Sequence, residues 1–195
     1  MREKLSGRDF TIRRLRHGDE EKFFEAVTSS ADEVYPWLPW CHPGYELAEA
    51  SEWINRSYMT WETGEEYNFL IIENSTGIII GGCGLNRLDK ENRMANLGYW
   101  VRSGYTCRGA ASSAAHLLLE FGFTDLELNR IEIIAACDNI PSQKVAEKAG
   151  ACREGILRSR ILLHGHLHDA VLFSMLLPDW RLIESRKVQD NVSFG

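Results

Sequence analysis

The chain has 195 residues, 44% of them hydrophobic and 26% charged, the balance of one globular domain long enough to bury a core. Its formal net charge of −6 argues against nucleic-acid binding, which needs a basic surface, and favours a basic partner or a cationic substrate. No apolar run reaches membrane-spanning length, the charged start MREKLSGRDF has no signal-peptide core, and Cys41, Cys83, Cys107, Cys137 and Cys152 are scattered without a CxxC, so reduced thiols in a cytoplasmic protein are expected.

In chain order, FTIRRLR (10–16) alternates and reads as a strand. GDEEKFFEAVTSSA follows as a helix, with acids in its first turn and Phe23, Phe24 and Val27 at helical spacing. Pro36, Pro39 and Pro43 rule out a continuous helix through EVYPWLPWCHPGY, and a second helix is expected over ELAEASEWINRSYMTWE. YNFLIIEN (67–74), IIIGGCGLNRL (78–88) and ANLGYWV (95–101) read as a strand meander joined by turns. A helix then runs from near Gly109 through HLLLEFGFTDL. RIEIIAAC (130–137) is a nearly continuous apolar run, as expected for a strand buried on both faces. DNIPSQKVAEKAG is a further helix, with Pro141 in its first turn and Gly150 as its stop. Residues 151–177 close with two strands. The polar stretch 181–195 is expected as a loosely held tail beyond a single domain of residues 1–180. Strands come first as a meander and then alternate with helices, which predicts one mixed α/β sheet.

RSGYTCRGAASSAA (102–115) places a glycine and small residues where a helix begins after a strand. The first amides of a helix lack intrahelical partners and carry partial positive charge. Small neighbours let a phosphate reach them, and Arg108 can add a charge-assisted contact. The stretch lacks both the GK[ST] ending of a P-loop and a GxGxxG. A tight strand-to-helix turn packed on the sheet explains the same residues.

WLPW (37–40), LGYWV (97–101), RGAA (108–111), LNRIEIIAACDNIPSQKVAEKAG (128–150), REGILR (153–158) and HDAVLFSML (168–176) occur in that order. Together they resemble the GNAT superfamily of acetyl-CoA-dependent N-acetyltransferases, and within it the RimJ/RimL group, over roughly residues 8–180. The resemblance implies a central, twisted, mostly antiparallel sheet of about seven strands with the fourth and fifth splayed apart, flanked by about four helices. It also implies that acetyl-CoA is the cosubstrate. The family writes the loop before its third major helix as Q/R-x-x-G-x-G/A. Here Gly109 and Ala111 match the last two fixed positions, while Thr106 departs from the first. Backbone donors do not depend on that side chain, so Cys107, Arg108, Gly109, Ala110, Ala111 and Ser112 are the implied pyrophosphate cradle. The backbone of Leu97, Tyr99 and Val101 would pair with the pantetheine arm as an added strand. Asn139 matches a pantetheine-contacting asparagine. Ser142 matches a serine near the thioester sulfur, the implied catalytic acid for the leaving thiolate. Helix capping explains Asn139 and Ser142 equally.

The attacking amine must lose a proton. Many relatives carry glutamate where this chain has Asn96, and RimL-type proteins carry another where it has Ile161. Neither residue present can act as a base. Glu33, Glu154 and Asp169 are alternative carboxylates whose positions the sequence does not give. An α-amine, with pKa about 7.7–8.0, is roughly a third neutral at about pH 7.5, whereas a lysine amine is about a thousandth neutral. A site without a strong base therefore favours an N-terminal α-amine.

HGHLH sets His164, His166 and His168 at alternating positions, on one face if the segment is a strand. A metal site, a polar wall and a substitute base are all compatible with it, and no metal is expected because no cysteine or carboxylate partner has the spacing. Trp37, Leu38 and Trp40 suit either a peptide-binding wall or a plug between the first two helices. The sequence therefore predicts an acetyltransferase acting by direct attack, through a tetrahedral intermediate, on a protein N-terminus or a small amine. The rivals are an acetyl-CoA-binding sensor that transfers nothing and a phosphate site for another nucleotide. No nucleic acid or membrane partner is expected, and a homodimer is left open.

Overall fold

The computed structural model describes residues 1–193. Its strands are β1 (Lys4–Ser6), β2 (Phe10–Arg14), β3 (Tyr67–Glu73), β4 (Ile79–Asp89), β5 (Met94–Val101), β6 (Arg130–Ala136), β7 (Cys152–Leu163) and β8 (His166–Leu176). Its helices are α1 (Glu20–Thr28), α2 (Ala31–Val34), α3 (Leu47–Thr63), α4 (Ala110–Thr124), α5 (Ile140–Lys148) and α6 (Leu177–Ser193). The strands form one sheet in the order β1-β2-β3-β4-β5-β6-β8-β7. Every neighbouring pair is antiparallel except β5–β6.

The mixed α/β sheet expected from the sequence is present, with eight strands in place of about seven. The additional strand, β1, is three residues long and buries only Leu5, too short to show a period of two. The further helices are α2, a single turn directly after α1, and α6. Residues 181–193 thus belong to a helix and not to a loose tail, while 194–195 lie outside the described residues. A polar sequence can be held this way because two side chains anchor it. Trp180 lies 5.5 Å from Phe123 of α4, and Ile183 packs against the same core.

Two cores lie on opposite faces of the sheet. One joins α4 and α5 to Phe69, Leu85, Ala95, Leu97, Ile131, Ile133, Val171, Phe173 and Met175. The other joins α1, α2 and α3 to Leu70, Ile79 and Trp100. Because strand side chains alternate, residues between those of the first core face the second side. β6 departs from its expected character. Ile131, Ile133 and Ala135 are buried, while Arg130, Glu132 and Ile134 are only half-buried. The strand is fully covered on one face only.

Candidate active site

The β5–β6 ladder is short. Met94 pairs with Arg130, Ala95 with Ile131 and Asn96 with Glu132, and pairing ends there. β5 continues to Val101 against β4, and β6 continues to Ala136 against β8. The strands therefore diverge after Asn96 and Glu132, which sit at the vertex of a V. Along the open edge lie Leu97, Tyr99 and Val101, the positions the sequence reading assigned to a pantetheine arm. At roughly 3.3 Å per residue this edge is about 13 Å long. It offers backbone groups that no neighbouring strand of the sheet satisfies.

The wide end of the V meets the start of α4. Gly109 is the N-cap, in the left-handed region at φ 86°, and no side chain caps the helix. The first helical backbone bond runs from the Ser113 amide to the Gly109 carbonyl at 2.9 Å. The Ser112 hydroxyl donates to that same carbonyl and leaves the amides of Ala110, Ala111 and Ser112 to other partners. A Cβ built on Gly109 would meet nothing within 4 Å, so the space beside the cap is open. Cys107 also has positive φ, 60°, and is exposed. Ala110 is buried against the sheet. Arg108 lies over the Tyr105 ring at 4.9 Å and 3.8 Å from Glu73. With Arg108 exposed, a contact at that distance is worth about 1 kcal/mol or less, so the guanidinium is free to turn toward an anion.

α5 begins on the other arm of the V. The Asn139 side chain accepts from the Ser142 amide at 3.1 Å, so its capping role is real. The Tyr99 hydroxyl donates to the Ser142 carbonyl at 2.8 Å and lies 3.0 Å from the Ser142 hydroxyl. Burial pushes the Tyr99 phenol up to about 12, outweighing the opposing hydrogen bond to Ser142. The phenol is neutral at ordinary pH, and it fixes Ser142 in place across the V.

The carboxylates fall in different places. Glu154 is bound by both Arg130 terminal nitrogens, at 2.7 and 2.5 Å, and by the Ser174 hydroxyl at 2.6 Å. The Arg130 bonds, then the Ser174 bond, hold its pKa at about 2, which makes it a poor proton acceptor. Asp169 accepts from the Ser159 amide at 2.8 Å, and by alternation it lies on the same side as Val171 and Phe173. Glu33 accepts from the Ser103 hydroxyl and ties α2 to the loop after β5. The expected histidine face is not formed. His164 and Gly165, both at positive φ (50° and 83°), make the β7–β8 turn, as two-residue hairpin loops require. Only His166 and His168 lie on the strand. Among the described residues no group of three or more metal-binding side chains occurs.

The second face of the sheet carries what the sequence reading missed. Asn86, Asn96, Glu132 and Ser174 are successive register partners across β4, β5, β6 and β8. This polar row crosses the vertex. The Asn96 amide donates to the Asn86 side chain at 3.0 Å, and Arg130 Nε donates to Glu132 at 2.9 Å. The available signal was a lone carboxylate interrupting RIEIIAA. On the same face of the sheet, Trp40 stacks on Trp53 at 6.0 Å and meets Trp100 edge-on at 5.8 Å. Trp40 and Leu38 thus plug the second core, whereas Trp37 belongs to neither core. Tyr35 reaches the hairpin tip, its ring 4.4 Å from that of His164 and its carbonyl 3.0 Å from His164 Nε2.

Residues 9–151 match the acetyltransferase (GNAT) domain family. The chain belongs to the GNAT N-acetyltransferases. It is therefore an acyltransferase, and the parting of β5 and β6 is the splay the resemblance implied. YdaF of Bacillus subtilis (strain 168), provisionally named a ribosomal N-acetyltransferase, is 31% identical over 87% of this chain and 92% of its own. The ribosomal-protein-serine acetyltransferase of Escherichia coli (strain K12) is 27% identical over 64% of this chain and 68% of its own. Among solved structures, RimL, the ribosomal L7/L12 alpha-N-protein acetyltransferase in complex with coenzyme A, superposes with a TM-score of 0.81. The alignment covers 88% of this chain and 96% of that one at 18% identity, a likeness of fold.

Proposed function

We propose that this GNAT enzyme transfers an acetyl group from acetyl-CoA to a protein N-terminal α-amine. The observation that carries the reading is the open β5 edge, which runs from the uncapped start of α4 to the Asn96–Glu132 vertex. A long, thin thioester with an anionic head fits such a slot. The amides at 107–112 would hold the pyrophosphate, with Arg108 turning in as a counter-charge. Leu97, Tyr99 and Val101 would pair with the arm through their backbone. Asn139 would contact the arm while capping α5. Ser142, held by Tyr99, would stand beside the sulfur and donate a proton to the departing thiolate.

The acceptor assignment rests on relatives named for ribosomal-protein acetylation and on proton chemistry. Neither Asn96 nor Ile161 is a base, and an α-amine, already partly neutral near pH 7.5, asks less of any remaining carboxylate than a lysine amine does. On the face opposite α4 and α5, the polar row and the Tyr35–His164 contact would lie on the acceptor's side of the sheet. A cytoplasmic setting belongs to the same reading. Among the described residues no helix is long and apolar enough to cross a membrane.

The test is calorimetric titration of acetyl-CoA into wild type and Gly109→Trp, followed by thiol release with N-terminal peptides, free lysine side chains and small amines. Micromolar binding lost in the variant, with turnover fastest on N-terminal peptides, is the expected result. Binding without turnover on any amine would leave an acetyl-CoA sensor, the rival that the absent glutamates keep open.

A further inference from the structure

Three observations converge on one side chain. Ile131 and Ile133 point into the core beneath α4 and α5, so Glu132 projects from the opposite face. Its register partner is Asn96, at the last paired position before β5 and β6 diverge. Any arm lying along the open β5 edge ends at this vertex, so its reactive carbonyl stops beside Glu132. The relatives' glutamate would stand at Asn96, one strand away. Paired positions on neighbouring strands lie about 5 Å apart, within the swing of a glutamate side chain.

We propose that Glu132 is the catalytic carboxylate that takes the proton from the acceptor amine, directly or through one water, in the role a glutamate at position 96 would otherwise fill. The proposal rests on the acetyl-transfer reading above. In the step, the amine nitrogen forms a bond to the acetyl carbon and the carbon–sulfur bond breaks. The nitrogen's proton passes to the Glu132 carboxylate, and the electron pair of the broken bond leaves on sulfur. The thiolate takes the Ser142 hydroxyl proton, and the proton held by Glu132 returns to Ser142 through solvent. The products are an amide and a free thiol.

Neighbouring groups are arranged for this role. Arg130 Nε donates to one Glu132 oxygen at 2.9 Å and orients the carboxylate, while the terminal nitrogens of the same arginine are taken up by Glu154. The guanidinium's charge is thus shared between two carboxylates. Glu154 also receives the Ser174 hydroxyl. Arg130 and Glu154 are the charged groups bonded into this cluster, and Asn86, Asn96 and Ser174 are its neutral members. Glu154 is spent on binding Arg130, which leaves Glu132 as the carboxylate at the vertex.

The experiment compares wild type, Glu132→Gln and Glu132→Gln/Asn96→Glu, using thiol release with an N-terminal peptide between about pH 6 and 9. Acetyl-CoA affinity by calorimetry and thermal melting accompany each variant. Glu132→Gln keeps an oxygen that Arg130 can bond. It is expected to lose about 10²-fold in kcat with KM and acetyl-CoA affinity retained, and the loss should shrink as pH rises. Moving the carboxylate back to position 96 in the double variant should restore at least about a tenth of wild-type kcat, a recovery that a structural role for Glu132 would not give. A Glu132→Gln rate within about twofold of wild type across the range overturns the proposal. So does a slow, destabilised Glu132→Gln whose rate the Asn96→Glu change fails to lift. Wild type that binds acetyl-CoA and acetylates no amine overturns it together with the acetyl-transfer reading, and that outcome is recognised before any variant is made.

Discussion

Glu132 and Glu154 lie in one cluster and have opposite tasks, set by how many bonds each accepts. Glu154 takes three, from Arg130 twice and from Ser174. Its pKa of about 2 lies below the ordinary glutamate value of about 4.3. The fold therefore favours the charged form. The resulting stability is complete above the ordinary value and is lost as pH falls through the folded one. Glu154→Gln should lower unfolding free energy by about 1 kcal/mol or less at neutral pH, because the pair is partly exposed and screened. The gap to wild type should close between about pH 5 and 2. Urea unfolding at a series of pH values measures it, and a gap that widened in acid would contradict the pairing. The sequence displayed both glutamates but not which would be bound by Arg130. Strand register and a bulge in β7 between Arg153 and Gly155 decide that.

At the scale of the element, α4 uses two glycines for different ends. Gly109 stands at φ 86° with open space around its missing side chain. Gly122 is inside the helix, where a Cβ would come within 2.5 Å of Ile131 Cδ1 and 3.1 Å of Leu85 Cδ1. Gly122→Ala should gain about 1 kcal/mol of helix propensity and lose about 1–3 kcal/mol to overpacking, a net destabilisation with acetyl-CoA affinity unchanged. Gly109→Ala strains the cap by about 1–2 kcal/mol and displaces the first amides, so it should weaken acetyl-CoA binding as well. Denaturant titration and calorimetry on both variants separate the two roles. The helix, its small-residue start and its beginning near Gly109 were all legible from RGAASSAA. The length of the β5–β6 ladder was not, because strand periodicity says where a strand runs and nothing about where its neighbour leaves it.

Across the whole molecule, the C-terminal segment shows how polarity misleads when burial is sparse. WRLIESRKVQDNVSFG has little amphipathic pattern, yet Trp180 and Ile183, three residues apart, fall on one helix face and dock beside Phe123 and Gly150. Trp180→Ala should cost on the order of 2 kcal/mol, below the roughly 3–5 of a fully buried aromatic, because the ring is only half-buried. It should release α6 while leaving the V intact. The expected readout is a lower thermal midpoint with acetyl-CoA affinity kept. Lost affinity would tie α6 to the site.

By itself the sequence determined the mixed α/β class, the order of the long elements, the helix start near Gly109 and the family. Each of these is written in local periodicity, turn residues or contiguous motifs, and needs no distant partner. Tertiary structure alone decided that β5 and β6 part after Asn96 and Glu132, and that Tyr99 holds Ser142. It also decided that Glu154 is occupied by Arg130 and that α6 docks. Each of those is a contact between residues tens of positions apart or a register between strands. Register and long-range packing come from the sum of many burials, so no single stretch of the chain records them.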